Sequence, residues 1–176
     1  MRINRGKLKR IRFFPPKGFP SRPTTDFAKE GLFNLLENQF DMVDMAILDL
    51  FAGTGNISFE FASREAGEIT AVDRNFKCVR FISEFAKNHE LQEVEIVKSD
   101  AFKFVEKTPA KFDLVFADPP FKSNFHESLI NAVFKNEILN KNGVFILEHE
   151  KRINFESHPR FDSARKYGNV VFSFFS

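Results

Sequence analysis

The sequence predicts an α/β fold, a mostly parallel seven-stranded sheet that ends in an antiparallel hairpin, preceded by a short basic β extension. Three observations carry this. From residue 46 onward, short apolar runs alternate with stretches of helical periodicity, the pattern of right-handed crossovers that build a parallel sheet covered on both faces. The first of those runs ends in Gly53-Thr54-Gly55, a tight junction of the kind that opens doubly wound sheets. The tail then breaks the alternation, because "FDSARKY" and "VVFSFF" flank Gly168-Asn169, a favoured two-residue hairpin turn. Together these describe a Rossmann-like domain.

Each element follows in order. "KLKRIRFF" (7–14) alternates in part and predicts a short strand, and "PPKGFPSRP" is a loop by its proline and glycine content. Ala28, Leu32, Leu35, Leu36 and Phe40 recur at helical spacing, with Thr24, Thr25 or Asp26 available as a cap, so a helix is predicted over about 25–39. "AILDLF" (46–51) is the first buried strand, followed by the glycine turn and a short helix to Arg64. "EITAVD" (68–73) is the second, and Phe76, Val79, Ile82 and Ala86 mark the next helix. "VEIVKS" (94–99) leads into the helix "DAFKFVEK", and "FDLVFA" (112–117) into a helix over about 124–139. Asn142-Gly143 turns into a fifth strand, "VFILEHE" (144–150).

At 176 residues, 43% apolar and 28% charged, the composition is that of one ordinary globular domain. No apolar run approaches a membrane span of about 20 residues, and no apolar segment follows the basic start as in a secretory signal. A cytoplasmic protein is the expectation. The single Cys78 excludes an internal disulfide and fits a buried, inert thiol, and the four histidines show no zinc spacing, so no metal is expected.

The net charge of +2 hides an asymmetry. Residues 1–25 hold eight basic residues (Arg2, Arg5, Lys7, Lys9, Arg10, Arg12, Lys17 and Arg22) and no acid, which leaves 18 basic and 24 acidic residues beyond them. A cationic arm on an acidic body points to an anionic macromolecule such as nucleic acid. A solvated basic terminus would look the same, but Phe13, Phe14 and Phe19 among the charges favour a folded, binding arm. The 25 phenylalanines are otherwise read as core.

The glycine turn is accompanied by acids. Asp49 lies on the first strand, four residues before Gly53; Asp73 ends the second strand, 20 residues after it; Asp100 follows the third. An acid in Asp73's position accepts both hydroxyls of a ribose in nucleotide-binding sheets, and one at Asp100 can accept from an adenine amine. Helix caps would explain each acid singly; three at successive strand ends, with Gly53 and Gly55, favour a nucleoside-type ligand. Their neighbours Phe51, Asn56, Arg74 and Ala101 complete the candidate set. Ser58 stands where a dinucleotide fingerprint has its third glycine, and an acidic rim disfavours pyrophosphate. A sulfonium cofactor, cationic and free of phosphate, suits it better, which points to S-adenosyl-L-methionine.

The fourth strand ends in "FADPPF" (116–121). Prolines present carbonyls without N–H groups and hold the preceding residues extended. Asp118 and the Pro119 and Pro120 turn thus offer fixed acceptors beside the Phe121 ring. An exocyclic base amine needs them: its lone pair is delocalised, and acceptors that grip its hydrogens release it toward a methyl group. Stacking on an aromatic ring adds about 1–3 kcal/mol. A rigid strand end with a core phenylalanine is the plainer alternative. Cys78 is not in a proline-cysteine turn, which argues against carbon methylation of cytosine.

"RPTTDFAKEGLFN" (22–34), "LDLFAGTG" (48–55), "ASR" (62–64), "SDAF" (99–102), "FADPPF" and "RKYGNVVFSFF" (165–175) together resemble the RsmD family, bacterial methyltransferases of the exocyclic N2 of a guanine in 16S ribosomal RNA, usually the guanine at position 966. The resemblance covers nearly the whole chain. It implies a class I methyltransferase fold over 25–176 behind an RNA-binding arm over 1–24, with S-adenosylmethionine held by Asp49, Gly53, Gly55, Asp73 and Asp100. It puts the guanine amine at Asp118–Phe121, and Arg22 and Thr24 at the mouth. The partner implied is 16S rRNA or the assembling small subunit, met by a monomer through Arg2, Arg5, Lys7, Lys9, Arg10 and Arg12. Two features depart from the family: one glycine, Gly6, where the arm has a Gly-Gly pair, and Asp73 where Glu is frequent. Methylation of an adenine amine or a glutamine amide, and a non-catalytic RNA-binding assembly factor, are the alternatives.

Overall fold

The structure, a computed structural model, describes residues 1–20, 24–120 and 125–176. Among the described residues five helices and seven strands follow one another as α1 (Asp26–Gln39), β1 (Ala46–Leu50), α2 (Asn56–Ser63), β2 (Glu68–Asp73), α3 (Phe76–Asn88), β3 (Val94–Lys98), α4 (Ala101–Lys107), β4 (Phe112–Ala117), α5 (Phe125–Lys135), β5 (Leu139–Glu150), β6 (Phe161–Tyr167) and β7 (Val170–Phe175). They form one sheet in the order β3-β2-β1-β4-β5-β7-β6. The pairs β1–β2, β1–β4, β2–β3 and β4–β5 are parallel, and β7 runs antiparallel between β5 and β6. The winding reverses between β1 and β4, the switch point where such sheets open a crevice beyond the carboxyl ends of their strands.

The alternation of side chains along each strand sorts the core into two layers. Ile47, Ile69, Ala71, Leu114, Phe116, Val144 and Ile146 pack against α1, α2 and α3, whereas Leu48, Leu50, Val72, Val115, Ala117, Phe145 and Leu147 pack against α4 and α5. Thr25 caps α1, its hydroxyl accepting from the Ala28 N–H at 3.2 Å.

The elements match the expected ones apart from the α5–β5 junction, where the helix expected to about 139 ends at Lys135 and the strand expected from 144 starts at Leu139, and apart from two corrections. The strand predicted over 7–14 is absent. Residues 5–10 are turns, and the arm keeps only a bridge between Arg2 and Arg12. The reason is competition for its backbone. Lys7 N donates to Ser63 O at 2.8 Å, Leu8 N donates to Ser63 Oγ at 2.9 Å, and Arg10 takes a φ of 74°. Gly6 makes this docking possible, since a Cβ there would lie 1.6 Å from Ser63 O. Ile3, Leu8 and Phe13 of the arm are buried in the same layer as α1–α3. The second correction is Phe76, read as part of the apolar face of α3, which is exposed.

Candidate active site

Strand alternation collects the acids on one face. Asp49 shares the face of Ile47, Asp73 that of Ile69 and Ala71, and Asp118 that of Leu114 and Phe116. The same count adds a fourth, Glu148, on the face of Val144 and Ile146. Because β2, β1, β4 and β5 are neighbours, the four carboxylates fall on adjacent strands of that face, with Asp49, which pairs with Ala71 and Phe116, one side-chain repeat deeper than Asp73 and Asp118. Ala117 pairs with Leu147, which sets the next residues, Asp118 and Glu148, abreast. Glu148 escaped the sequence reading, although a charged residue at an alternating position of an apolar strand was a usable signal; its adjacency to Asp118 depended on the strand order.

The acids are held differently. Asp49 is buried and its Oδ2 accepts from both the N–H (3.1 Å) and the hydroxyl of Ser58. Ser58 therefore does in α2 what a third glycine would not: it fixes the strand acid. Burial pushes the Asp49 carboxyl up to about 7, against the pull of the Ser58 bonds and helped by the charge of Asp73. Asp73 ties two turns together, its Oδ2 accepting from Gly53 N at 2.9 Å and its Oδ1 from Asn75 N at 2.7 Å. Glu148 is 2% exposed and its Oε2 accepts from Thr24 Oγ1 at 2.7 Å. Burial lifts it to about 7 despite that bond, with the charge of Asp49 adding to the rise. Asp118 keeps part of its surface open at the rim, and its N–H reaches Leu50 O at 3.4 Å. Crowding by the protein, then the charges of Glu148 and Asp49, raise its carboxyl well above the usual range.

The glycine turn behaves as the spacing predicts. Phe51, Gly53 and Gly55 take φ values of 62°, 56° and 73°. At Gly55 the requirement is internal: a Cβ would sit 2.8 Å from the Phe59 ring. Asn56 is not at the rim. Its amide is engaged inward, Oδ1 accepting from Lys29 Nζ at 2.8 Å and Nδ2 donating to Thr24 O at 3.2 Å. Asp100 caps α4, accepting from Phe102 N (3.1 Å) and Lys103 N (3.2 Å) through Oδ1, and Ala101 is buried behind it. Arg74 is exposed. Pro119 is buried and Pro120 exposed; Phe121 and Arg22 lie outside the described residues.

Of the arm, Arg2, Lys9, Arg10 and Arg12 are exposed, whereas Arg5 and Lys7 form ion pairs with Glu37 and Glu93. Thr24, expected at the mouth, is 7% exposed, with its hydroxyl and carbonyl both engaged as above. Met1 Sδ lies 3.1 Å from Thr54 Oγ1, which brings the arm's first residue over the glycine turn. Cys78 is buried, its thiol pushed up to about 12 by burial, an inert group as expected. Among the described residues no cluster of His, Cys, Asp and Glu could hold a metal ion, and no helix is long and apolar enough to cross a membrane.

This donor set fits an adenosyl sulfonium ligand. The charged groups that perturb Asp49, Asp118 and Glu148 are all acids, so a cation entering the rim relieves repulsion. Asp73 holds its two oxygens at the junction of two strand turns, where a ribose diol can share them. Phe76 adds an exposed flat ring three residues beyond Asp73.

The comparisons with known proteins agree with the geometry. The family profile described as Conserved hypothetical protein 95 matches residues 1–176. The chain is 31% identical to the putative rRNA methyltransferase YlbH of Bacillus subtilis, over 87% of this chain and 84% of that protein. It is 33% identical to the ribosomal RNA small subunit methyltransferase D of Haemophilus influenzae, over 74% of this chain and 68% of that one. The solved structure of a putative methyltransferase, yhhF, from Escherichia coli superimposes with a TM-score of 0.86 at 26% identity, covering 99% of this chain and 96% of that chain. With the order of its sheet, the full-length family match and the methyltransferases among its relatives, the chain belongs to the RsmD family and carries the class I methyltransferase fold.

Proposed function

We propose that this protein transfers a methyl group from S-adenosylmethionine to the exocyclic N2 of a guanine in 16S ribosomal RNA. The observation that carries the proposal is the row Asp73, Asp49, Asp118 and Glu148 on one face of four adjacent strands, beside a glycine turn and a proline-locked strand end. The names of the family relatives direct it to small-subunit rRNA. The cofactor, when bound, supplies a methyl group on a sulfonium that leaves as a neutral thioether. Asp73 holds the ribose, and Asp49 sets the electrostatics of the cation's pocket through Ser58. The amine nitrogen forms the new N–C bond and sheds one proton. Asp118, raised by burial and by its acidic neighbours, accepts the amine's hydrogen bond and is basic enough to assist that loss, while the Pro119 carbonyl takes the second hydrogen. Phe121 stacks the base. Positioning, rather than a strong base, supplies most of the rate.

The exposed Arg2, Lys9, Arg10 and Arg12 meet RNA phosphates, and the enzyme works as a monomer in the cytoplasm. The test is methyl transfer from labelled cofactor to small-subunit rRNA from cells lacking the gene, followed by nucleoside analysis. N2-methylguanosine is the expected product. Label on adenine N6, or on protein glutamine alone, overturns the assignment.

A further inference from the structure

We propose that Thr24 and Glu148 are positioning residues of the methyl transfer: Thr24, held by Asn56 of α2, which Lys29 of α1 holds in turn, keeps Glu148 against Asp118 and so sets the geometry and charge of the amine-gripping carboxylate. This rests on the methyltransferase reading and adds two residues to it.

The contacts form one continuous chain. Arg2 O of the arm accepts from Lys29 Nζ at 2.7 Å. The same ammonium donates to Asn56 Oδ1 at 2.8 Å. Asn56 Nδ2 donates to Thr24 O at 3.2 Å, and Thr24 Oγ1 donates to Glu148 Oε2 at 2.7 Å. Lys29, Asn56, Thr24 and Glu148 are all buried, where hydrogen-bonded groups hold one arrangement because the alternatives leave unpaired polar atoms. Glu148 stands abreast of Asp118 across β4 and β5. A buried glutamate placed only for stability would have a cation as its partner. Among the described residues its partner is a neutral hydroxyl, and the charges that act on the Asp118–Glu148 pair are acids: Asp49 on β1, with Asp73 on β2 behind it. Among the described residues the ammonium of this hydrogen-bonded chain, Lys29, stands behind Asn56 and is paired with Glu60 at 2.8 Å. The pair therefore resists double ionisation, and the Thr24 hydroxyl, by holding Glu148 ionised, raises the pH at which Asp118 gives up its proton and makes it a stronger acceptor once it has done so.

The variants that test this are Thr24→Val, which keeps the shape and loses the donor, Thr24→Ser, which restores it, and Glu148→Gln, which removes the charge and keeps an acceptor. Thr24→Val is expected to lower kcat about tenfold, the loss of one positioning hydrogen bond, with the cofactor Kd within about twofold of wild type, and Thr24→Ser to recover most of the rate. In Glu148→Gln the acid limb of the kcat–pH profile is expected to move to lower pH, because Asp118 loses a repelling neighbour. Carbon-13 titration of the Asp118 carboxyl in the cofactor-free protein reads the same shift without turnover. An Asp118 midpoint unmoved by Glu148→Gln, or a Thr24→Val variant as fast as wild type, overturns the inference. Wild-type protein that transfers no methyl to any RNA, while the Asp118 midpoint still moves, overturns the functional reading instead.

Discussion

Two buried polar regions lie on the same face of the sheet, joined through Asn56, and they follow opposite rules. Under the arm, Lys29 pairs with Glu60, Arg64 pairs with both Glu60 and Glu37, and Arg5 pairs with Glu37 from outside. Glu60 also accepts from the N–H groups of Asn4 and Arg5. Each buried charge there has an opposite charge and further hydrogen-bond partners, which is the condition for tolerating burial. At the rim, Asp49, Asp118 and Glu148 are crowded together with neutral donors and one another. The first arrangement fixes the arm to α1 and α2. The second leaves electrostatic repulsion that a cation can remove, which is what a ligand site needs and a scaffold does not.

The contrast can be broken first at Lys29. Lys29→Met leaves Glu60 with Arg64 as its cation and strips Arg2 O and Asn56 Oδ1 of their donor, and buried acceptors left unpaired cost about 1–3 kcal/mol each. Denaturant unfolding should show that loss, and a loss below about 1 kcal/mol would mean the network is not structural. Asp118→Ala, at the rim, should do the reverse. It is expected to cut kcat by about a hundredfold, the scale of losing a transition-state hydrogen-bond partner, while leaving the thermal midpoint unchanged or raised.

Asp49→Asn sharpens the comparison by pH. The folded carboxyl sits at about 7, above an unfolded value of about 4. The folded state thus holds a proton that the unfolded chain has released. The contribution to stability is full below about pH 4 and is lost as pH rises to about 7. The variant should therefore match wild type near pH 4 and exceed it by about 4 kcal/mol at pH 8, in the cofactor-free protein. It should bind the cofactor more weakly, and the rise in cofactor affinity between pH 6 and pH 8 expected of wild type should flatten. Calorimetry at several pH values checks both halves.

The smallest effect belongs to the arm's surface. Replacing Lys9, Arg10 and Arg12 should weaken RNA binding and lower its salt slope by about 2–3. Replacing Arg5 and Lys7 should do less, since they are spent on Glu37 and Glu93, and such exposed pairs are worth about 0–1 kcal/mol. Equal slopes for the two sets would erase that distinction.

How much of this was legible beforehand follows from range. The strands, the glycine turn, the proline-locked end and the terminal hairpin are local patterns of period and turn chemistry, and they appeared within a residue or two, apart from β5, which starts at Leu139 instead of residue 144. The arm was misread as a strand because its backbone partners, Ser63 O and Oγ, are some 55 residues away. The resemblance puts Thr24 at the mouth of the site, whereas Glu148, 124 residues on, takes its hydroxyl. Asn56, read as a cofactor contact from its place beside the glycines, turns inward to Lys29 for the same reason.

By itself the sequence determined the order of elements, the switch-point turn and three of the four rim acids, because periodicity and spacing act along the chain. Only the tertiary structure decided that β5 lies beside β4, that Glu148 stands against Asp118, and that a buried hydrogen-bonded chain runs from the arm to that pair. Those depend on strand order and on which buried donors remain for which acceptors, and neither is written in any one stretch of sequence.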